Sequence, residues 1–462
     1  METIFEEFNI DLSASAIFNA FVSDNYSVFL DNSLNSSTLL NYSYITSDPF
    51  LIITSKGNNI KIKERETEKE FFGNPFNILN ELIDKYNFDD NINIAPFQGG
   101  AIGYMSYEMR HHIEHMPSHA LDYLELPEMC FGFYDWVISI NHSKNTTTLI
   151  STILPNNNHN SATNRIEWVK NKIKNSSNLT KEKSKIKVGK LKSNFSEKQY
   201  LDSVRKVKYY IEKGDVYQVN IAQRFEIELE EKTWDLYKRL RQITPSNYSA
   251  FLRYPESDIL STSPEHFVSL KESLVHSKPM KGTRPRGSNK KSDNELLNDL
   301  KNSLKDRTEN LMIVDVVRND LGKVCLPGSI NVKNLFKIEK YEHVFQMITD
   351  IYAELNDKYN IVDLLESCFP GGSVTGAPKI RAMEIIDEIE PVQRNVYCGA
   401  IGYFGFNGNM KTSIPIRTMI VKNNIGYFHV GGGIIYDSNP SMEYQETLDK
   451  AKGFFKALNI IN

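Results

Sequence analysis

The chain has 462 residues, and its 54 Lys and Arg against 58 Asp and Glu give a formal net charge of −4. At roughly 100–200 residues per domain, this length predicts two or three domains or one large compound domain. The near-neutral charge excludes the basic surface of a general nucleic-acid binder. A hydrophobic fraction of 40% excludes wholesale disorder. No apolar run reaches the ~20 residues that a membrane-spanning helix needs, so we expect no membrane association.

Composition divides the chain into three regions. Residues 1–154 show short alternating segments broken by Asn, Asp and Ser, which predicts a strand-rich region. Residues 155–194 are rich in Lys, Asn and Ser, which predicts a solvated connector with a short helix around 166–173. Residues 195–462 carry the clearest structural signals. The start of the chain is acidic, unlike a targeting peptide, and its four cysteines lie far apart, so we expect reduced thiols in a cytoplasmic protein.

Helices and hairpins alternate in the third region. A capping box at 196–199 begins a helix that Gly214 ends, and an alternating strand follows over 219–229. A second capping box predicts one long helix over 292–314, and a last helix is predicted over 441–458. Because these elements do not form regular βαβ units, we predict an α+β fold with antiparallel sheets.

Four carboxylates occur in two pairs with helical spacing, Asp306 with Glu309 and Glu443 with Glu446. Either pair alone is more typical of a solvated helix face. Brought together, the two pairs would form an oxygen-rich site that suits Mg²⁺, which takes one or two protein carboxylates and completes its shell with water and substrate oxygens.

Several cationic and glycine positions favour an anionic small ligand. Lys281 lies in a loop rich in Gly and Pro, although such a loop is equally typical of a basic surface turn. Arg417 is an isolated cation in a predicted apolar strand, where it requires a partner, either a substrate carboxylate or an internal Asp or Glu. The run Gly431, Gly432 and Gly433 leaves backbone accessible to a small ligand.

Short motifs then occur in a fixed order along the chain. They are Tyr42–Ile45, Phe97–Glu108, Gly214–Gln218, Ser263–Glu265, Lys281–Gly287, Val314–Asp320, Gly376–Lys379, Ile416–Thr418 and Asp437–Pro440. On these motifs the chain resembles the chorismate-utilising enzymes over most of its length. The resemblance implies two orthogonally packed antiparallel sheets with helices on the outside and the active site between the sheets.

The resemblance also implies roles for individual residues. It assigns Mg²⁺ to Glu309 and Glu446, with Asp306 and Glu443 as supporting carboxylates. It implies that chorismate is held by Arg417, Tyr403, Gly431, Gly432, Gly433, Ser373, Thr375, Gln218 and Thr283.

Within the family, Lys281 indicates the aminodeoxychorismate synthase type, because anthranilate synthases usually carry Ala there. The resemblance implies that the Lys281 amine is the nucleophile and that Glu265 protonates the departing hydroxyl. Gln218 stands where isochorismate and salicylate synthases carry a Lys that activates water, which disfavours those activities. We therefore expect conversion of chorismate and ammonia to 4-amino-4-deoxychorismate, for p-aminobenzoate and folate synthesis. Since no glutaminase nucleophile motif is visible, we expect the ammonia to come from a glutamine amidotransferase subunit.

Two alternatives are an anthranilate synthase component I and a chorismate-binding regulatory subunit without turnover. The sequence also departs from the family at two places. Gln346 stands where many relatives carry a His, and His343 is out of phase with it on a strand. Residues 29–33 do not match the Leu-Leu-Glu-Ser motif of feedback-regulated anthranilate synthases, so tryptophan inhibition is not supported.

Overall fold

The computed structural model describes residues 2–34, 42–87, 94–155, 159–176, 188–341 and 344–460. Within these ranges the strands are β1 (Glu2–Glu7), β2 (Val28–Asp31), β3 (Tyr42–Thr46), β4 (Leu51–Lys56), β5 (Asn59–Glu64), β6 (Thr67–Phe72), β7 (Gly100–Met105), β8 (Met129–Tyr134), β9 (Trp136–Asn141), β10 (Thr146–Ile153), β11 (Lys192–Ser193), β12 (Gln218–Glu228), β13 (Tyr248–Arg253), β14 (Asp258–Ser263), β15 (His266–Lys271), β16 (Leu274–Ser277), β17 (Met280–Pro285), β18 (Asn331–Lys340), β19 (Val344–Glu354), β20 (Gly376–Ala377), β21 (Ala400–Gly405), β22 (Met410–Ser413), β23 (Thr418–Lys422) and β24 (Ile425–Ile434).

The helices in the same ranges are α1 (Ala14–Phe18), α2 (Pro75–Tyr86), α3 (His159–Ser176), α4 (Glu197–Glu212), α5 (Thr233–Ile243), α6 (Lys290–Asn302), α7 (Leu304–Gly322), α8 (Ile361–Cys368), α9 (Lys379–Ile389) and α10 (Pro440–Ala457). None of the helices so described is long and apolar enough to cross a membrane. All four cysteines are buried free thiols, as the sequence predicted.

The strands form two large antiparallel sheets. The first has the order β1-β10-β9-β3-β2-β13-β14-β23-β24-β12-β11, with β20 also paired to β12. The second has the order β17-β19-β16-β15-β22-β21-β7-β8-β4-β5-β6, with β18 also paired to β19. The predicted α+β fold with antiparallel sheets is confirmed. Both sheets combine strands that precede residue 155 with strands that follow residue 194.

Apolar side chains from both sheets meet in one core. This inter-sheet core includes Val28, Tyr44, Val137, Leu252 and Ile259 from the first sheet and Ile102, Tyr104, Tyr134, Ile401 and Tyr403 from the second. Helices α3, α5 and α10 pack against the first sheet, and α2, α7 and α8 pack against the second. The two sheets therefore each carry their own helices and share the space between them.

The predicted long helix over 292–314 is wrong, because the structure has two helices there. The side chain of Asn289 caps α6 by accepting from the backbone N–H of Ser292, so the capping box begins three residues earlier than predicted. Ser303 ends α6 and caps α7, accepting from the N–H of Asp306 at 3.2 Å. Asp306 consequently lies in the first turn of a new helix, where its negative charge is favourable.

Part of the predicted connector is packed rather than solvated. The short helix predicted around 166–173 is confirmed, and it extends over the whole of α3. Its apolar residues Ala162, Ile166, Val169 and Ile173 are buried, and the helix packs on β10. Residues 188–194 of the predicted connector are described as well and include β11, which pairs with β12. Residues 156–158 and 177–187 lie outside the described residues.

Other predicted elements agree with the structure. The capping box at the start of α4 is present, with Ser196 N–H donating to Gln199 Oε1 at 2.8 Å. Gly214 follows the helix with a φ of +82°, a conformation that suits glycine. The alternating strand is β12 and the last helix is α10, each within two residues of its predicted bounds.

Candidate functional site

A cavity of about 870 Å³ lies between the two sheets. Strands β12 and β24 of the first sheet and β17 and β19 of the second contribute to its lining, together with α7 and α10. The predicted site residues that line it are Lys281, Glu265, Asp306, Glu309, Glu446, Arg417, Gly431, Gly432, Gly433, Ser373 and Thr283. Most of the residues that the sequence singled out are thus brought together.

The Lys281 amine lies against the glycine run of β24. A Cβ atom on Gly433 would be 3.5 Å from Lys281 Nζ, so any larger residue there would reduce the space beside the amine. The pKa of Lys281 is lowered, chiefly because the ammonium loses hydration, and nearby Lys450 lowers it further. Glu309 opposes this effect. The net shift makes the neutral, nucleophilic amine more accessible.

Glu265 lies between β14 and β15 and is only 3% exposed. Its carboxyl accepts a hydrogen bond from the Ser373 hydroxyl. Burial raises the pKa of Glu265 to about 7, while the Ser373 hydroxyl and the charge of Lys281 partly oppose the rise. A carboxyl that retains its proton near neutral pH is suited to general acid catalysis.

Two carboxylates from different helices face the cavity, Glu309 from α7 and Glu446 from α10. The pKa of Glu309 is raised, first by burial and then by the negative charges of Asp306 and Glu446. Glu446 accepts from Lys450 Nζ at 2.7 Å, whereas the Lys305 amine is 4.0 Å from Glu309. Burial would raise the pKa of Glu446, but the charge and hydrogen bond of Lys450 lower it instead. Neighbouring amines therefore partly offset the charge of these carboxylates.

The other two carboxylates have partners within the protein. Asp306 pairs with Arg284 at 2.9 Å. Glu443 does not line the cavity, and it accepts from the Ser438 hydroxyl at 2.6 Å. Its Oε2 nevertheless lies 3.4 Å from the position of a Cβ on Gly432, close to Glu446 Oε1 at 3.5 Å from the same point.

The donor set suits Mg²⁺ as an ion shared with a ligand. Across the described residues, no three His, Cys, Asp or Glu side chains converge closely enough to hold a metal. Mg²⁺ needs only one or two protein carboxylates when water and substrate oxygens complete its shell. Glu309 and Glu446 are the two that face the cavity.

Arg417 lies just before β23, not within a strand as predicted. Its φ is +50°, and its carbonyl accepts from the N–H of Thr262 at 3.1 Å. Within the described ranges no carboxylate pairs with its guanidinium, so the internal partner considered from the sequence is not found there. Loss of hydration lowers the pKa of Arg417. The side chain therefore offers a free cation to an anionic ligand.

Three predicted substrate contacts do not line the cavity. Tyr403 points into the inter-sheet core, with its ring 4.7 Å from that of Phe97 and 5.6 Å from that of Tyr44. The Thr375 hydroxyl donates to the carbonyl of Gly371 at 3.0 Å and is therefore already satisfied. Both residues lie outside the cavity lining, and their direct contact with the ligand stays a prediction.

Gln218 is the third of these residues, and it lies directly behind the lining. A Cβ on Gly433 would be 2.6 Å from Gln218 Nε2. The side chain is fully buried, and neither polar atom has a hydrogen-bond partner among the described residues. Gln218 is therefore close to the cavity only because Gly433 has no side chain between them.

The structure also adds lining residues that the sequence did not reveal. Tyr397 and His429 stack at 5.1 Å with an interplanar angle of 12°, and Lys450 donates to the carbonyl of Gly431 at 2.7 Å. In the sequence, Lys450 could have been found only from its position four residues after Glu446, a spacing that allows an ion pair on a helix. Gln346 lines the cavity from β19, opposite Thr283, while His343 is not among the described residues.

Comparison with known proteins identifies the class. The profile of the chorismate binding enzyme family matches residues 46–456. The chain therefore belongs to the chorismate binding enzymes, and the cavity between its sheets is the candidate chorismate site.

Individual relatives include both types considered from the sequence. The chain is 38% identical over 418 residues to aminodeoxychorismate synthase component 1 from Escherichia coli, covering 90% of each protein. It is also 38% identical over 428 residues to anthranilate synthase component 1 from Acetivibrio thermocellus, covering 90% of this chain and 87% of the relative. The crystal structure of anthranilate synthase component I from Streptococcus pneumoniae superposes with a TM-score of 0.81 at 29% identity, covering 90% of this chain and 92% of the other.

Arg417→Met tests the free cation. We expect chorismate affinity to fall about 10- to 100-fold, because a charge-assisted hydrogen bond contributes about 1.5–3 kcal/mol. We expect no loss of thermal stability, because the guanidinium has no internal carboxylate to leave unpaired. Calorimetric titration with chorismate and a thermal melt measure the two effects.

The matched control is Arg253→Met. Arg253 is bidentate to Asp258, at 3.0 and 2.9 Å, and does not line the cavity. This variant should lose stability and retain chorismate affinity. Wild-type affinity in the Arg417 variant would contradict the assignment.

Proposed function

We propose that the enzyme converts chorismate and ammonia to 4-amino-4-deoxychorismate. The observation that carries this proposal is the position of Lys281 in the chorismate site, with Glu265 facing the same cavity. A nucleophilic amine and a protonated carboxyl are the two groups that displacement of a ring hydroxyl requires.

Chorismate is a dicarboxylate, and the cavity offers two separate sites for its carboxylates. We assign one substrate carboxylate to Arg417, near Tyr397 and the Gly431–Gly433 backbone. We assign the ring carboxylate to the side of the cavity where Glu309 and Glu446 face it. This orientation directs the ring hydroxyl towards the region shared by Lys281 and Glu265.

The proposed chemistry takes place in two displacements. The neutral amine of Lys281 attacks C2 of the ring, both conjugated ring double bonds shift, and the C4 hydroxyl leaves as water after accepting the proton of Glu265. Ammonia then attacks C4, both double bonds shift back, and the C2–N bond to Lys281 breaks. The excess proton on nitrogen returns to the carboxylate of Glu265. The balance is chorismate and ammonia to aminodeoxychorismate and water.

We propose Mg²⁺ as the cofactor, held by Glu309 and Glu446, with Asp306 and Glu443 behind them. The convergence of Glu309 from α7 and Glu446 from α10 on one cavity supports this proposal. When bound, the ion supplies positive charge that lets a substrate carboxylate lie among protein carboxylates.

We propose that the ammonia comes from a separate glutamine amidotransferase subunit in the cytosol. The two-component names of the relatives support a partner, and the four buried free thiols fit a reducing compartment. The product serves p-aminobenzoate and folate synthesis. The second candidate is anthranilate synthesis, which the similarity to the Acetivibrio thermocellus enzyme favours and Lys281 disfavours.

Product identity separates the two candidates. The purified chain, given chorismate, Mg²⁺ and ammonium, should consume chorismate and form a product with the mass of aminodeoxychorismate. Lys281→Ala should slow this reaction by about 100-fold or more, because the nucleophile is lost, while chorismate binding stays measurable. Fluorescent anthranilate with pyruvate release would contradict the proposal, as would full activity in the variant.

Removal of either metal-facing carboxylate tests the cofactor. Glu309→Ala and Glu446→Ala should each abolish activity and weaken Mg²⁺ binding, measured by calorimetry in the presence of chorismate. Glu388→Ala is the control, because Glu388 lies on α9, pairs with Lys206 and does not line the cavity. A variant with wild-type activity and Mg²⁺ affinity would remove its residue from the metal site.

The protonation of Glu265 predicts a pH dependence. The rate of chorismate loss should fall as pH rises through about 7, because Glu265 then loses the proton that it donates. The groups that influence this carboxyl are the Ser373 hydroxyl and the charges of Lys281 and Lys450. Ser373→Ala removes a donor that stabilises the ionised form, so the fall should move to higher pH. An unchanged profile in this variant would refute the link between the two residues.

A further inference from the structure

Arg394 is a buried cation that binds three separate segments without lining the cavity. It lies between α9 and β21 and is 1% exposed. Its guanidinium donates to both carboxylate oxygens of Glu390, at 2.8 and 2.6 Å. It also donates to the carbonyl of Val374 at 2.9 Å and to the carbonyl of Asn220 at 2.8 Å. Four of its five N–H donors therefore have partners inside the protein.

The contact with Val374 connects Arg394 to the candidate acid. Val374 follows Ser373, whose hydroxyl donates to Glu265. The Val374 carbonyl accepts a second hydrogen bond, from Asn220 Nδ2 at 3.0 Å. Arg394 is the charged donor of the two, so its hydrogen bond is the stronger one. It holds the short turn Gly372–Val374 that carries Ser373, which we call the Ser373 loop.

The contact with Asn220 connects the same guanidinium to β12. The strand is held at a second point, because Glu390 accepts from the backbone N–H of Ala222 at 2.9 Å. Arg394 and Glu390 thus form one buried ion pair that binds β12 at two points, the carbonyl of Asn220 and the N–H of Ala222. The Ser373 loop and β12 are held by a single rigid unit.

Two residues of an N-terminal motif also contact Arg394. The backbone N–H of Arg394 donates to Glu108 Oε1 at 3.0 Å, and the Arg394 guanidinium lies 4.7 Å from the ring centre of Tyr107. Both residues belong to the motif Phe97–Glu108, which carries part of the family resemblance. No residue of that motif lines the cavity. Its contact with Arg394 gives it a role at the site.

We propose that Arg394 is a positioning residue, which fixes the Ser373 loop against β12 and so keeps the Ser373 hydroxyl on Glu265. The proposal rests on the proposed role of Glu265. It assigns no substrate contact to Arg394.

A double-mutant cycle tests the proposal. Arg394→Lys keeps the charge beside Glu390 but cannot make all four hydrogen bonds. We expect kcat to fall about tenfold with KM for chorismate within about threefold, because a small misplacement of a catalytic group lowers the chemical step. In a Ser373→Ala background, Arg394→Lys should lower kcat by less than about twofold relative to Ser373→Ala alone. The reason is that the hydrogen bond from Ser373 to Glu265, which Arg394 supports, is already absent. All variants are compared at a pH below the fall in the wild-type rate.

The matched control is Arg253→Lys, because Arg253 is also bidentate to a carboxylate, that of Asp258, and lies outside the cavity lining. It should lower thermal stability and leave kcat unchanged. Equal multiplicative losses of kcat in the single and double variants of Arg394 and Ser373 would overturn the proposal, and so would wild-type kcat in folded Arg394→Lys.

A second variant keeps the test informative if Arg394→Lys does not fold. Glu108→Leu removes the acceptor of the Arg394 N–H, together with a carboxylate oxygen 3.8 Å from Arg110. It should lower kcat in the same non-additive way with Ser373→Ala. Independent, additive effects would again overturn the proposal. Rates are followed as chorismate loss, so a different product would contradict the proposed function without affecting the cycle. Full activity in Glu265→Gln would refute the acid role and with it the basis of the proposal.

Discussion

The pairing of β12 with β24 is the constraint on which the site depends. The two strands pair over ten residue positions, from Val219 opposite Ile434 to Glu228 opposite Ile425. A Cβ on Gly431 would lie 2.6 Å from the carbonyl of Ile221, so the close approach here requires glycine. Helices α4 and α10 pack on the same two strands. Their pairing therefore sets the distance between the carboxylates of α10 and the glycine surface that faces the ligand.

Burial shifts the pKa values of Glu265 and Lys281 towards their uncharged forms. Loss of hydration disfavours the carboxylate of Glu265 and the ammonium of Lys281 alike, so one pKa rises and the other falls. The residual attraction between the two charged forms opposes both shifts but does not reverse either. One physical cause thus favours both the proposed acid and the proposed nucleophile, while Arg417 offers a cation that the protein itself does not pair.

The sequence predicted most of the site because its chemistry is local to short motifs. Helical spacing predicted the carboxylate pairs, and an isolated cation among apolar residues indicated Arg417. The sequence could not show what tertiary packing decides. Nothing in the spacing shows that Tyr403 turns into the inter-sheet core or that the Thr375 hydroxyl is spent on a backbone carbonyl.

The role of Arg394 was also inaccessible from the sequence. Its partners lie 4, 20, 174 and 286 residues away along the chain, at Glu390, Val374, Asn220 and Glu108. The break at Ser303 was missed for a different reason. The apolar pattern continues through it, and only the capping hydrogen bond reveals that a new helix begins.

The interleaving of early and late strands has a consequence for how the molecule can be divided. Every residue that we place in the chemistry follows residue 217, yet β7 covers one side of β21 and β2 covers one side of β13. A fragment lacking the first 154 residues would expose both strands as unpaired edges, with their N–H and carbonyl groups open to pairing with other chains. The strands that line the cavity therefore belong to sheets whose edges are completed by strands from the first 154 residues.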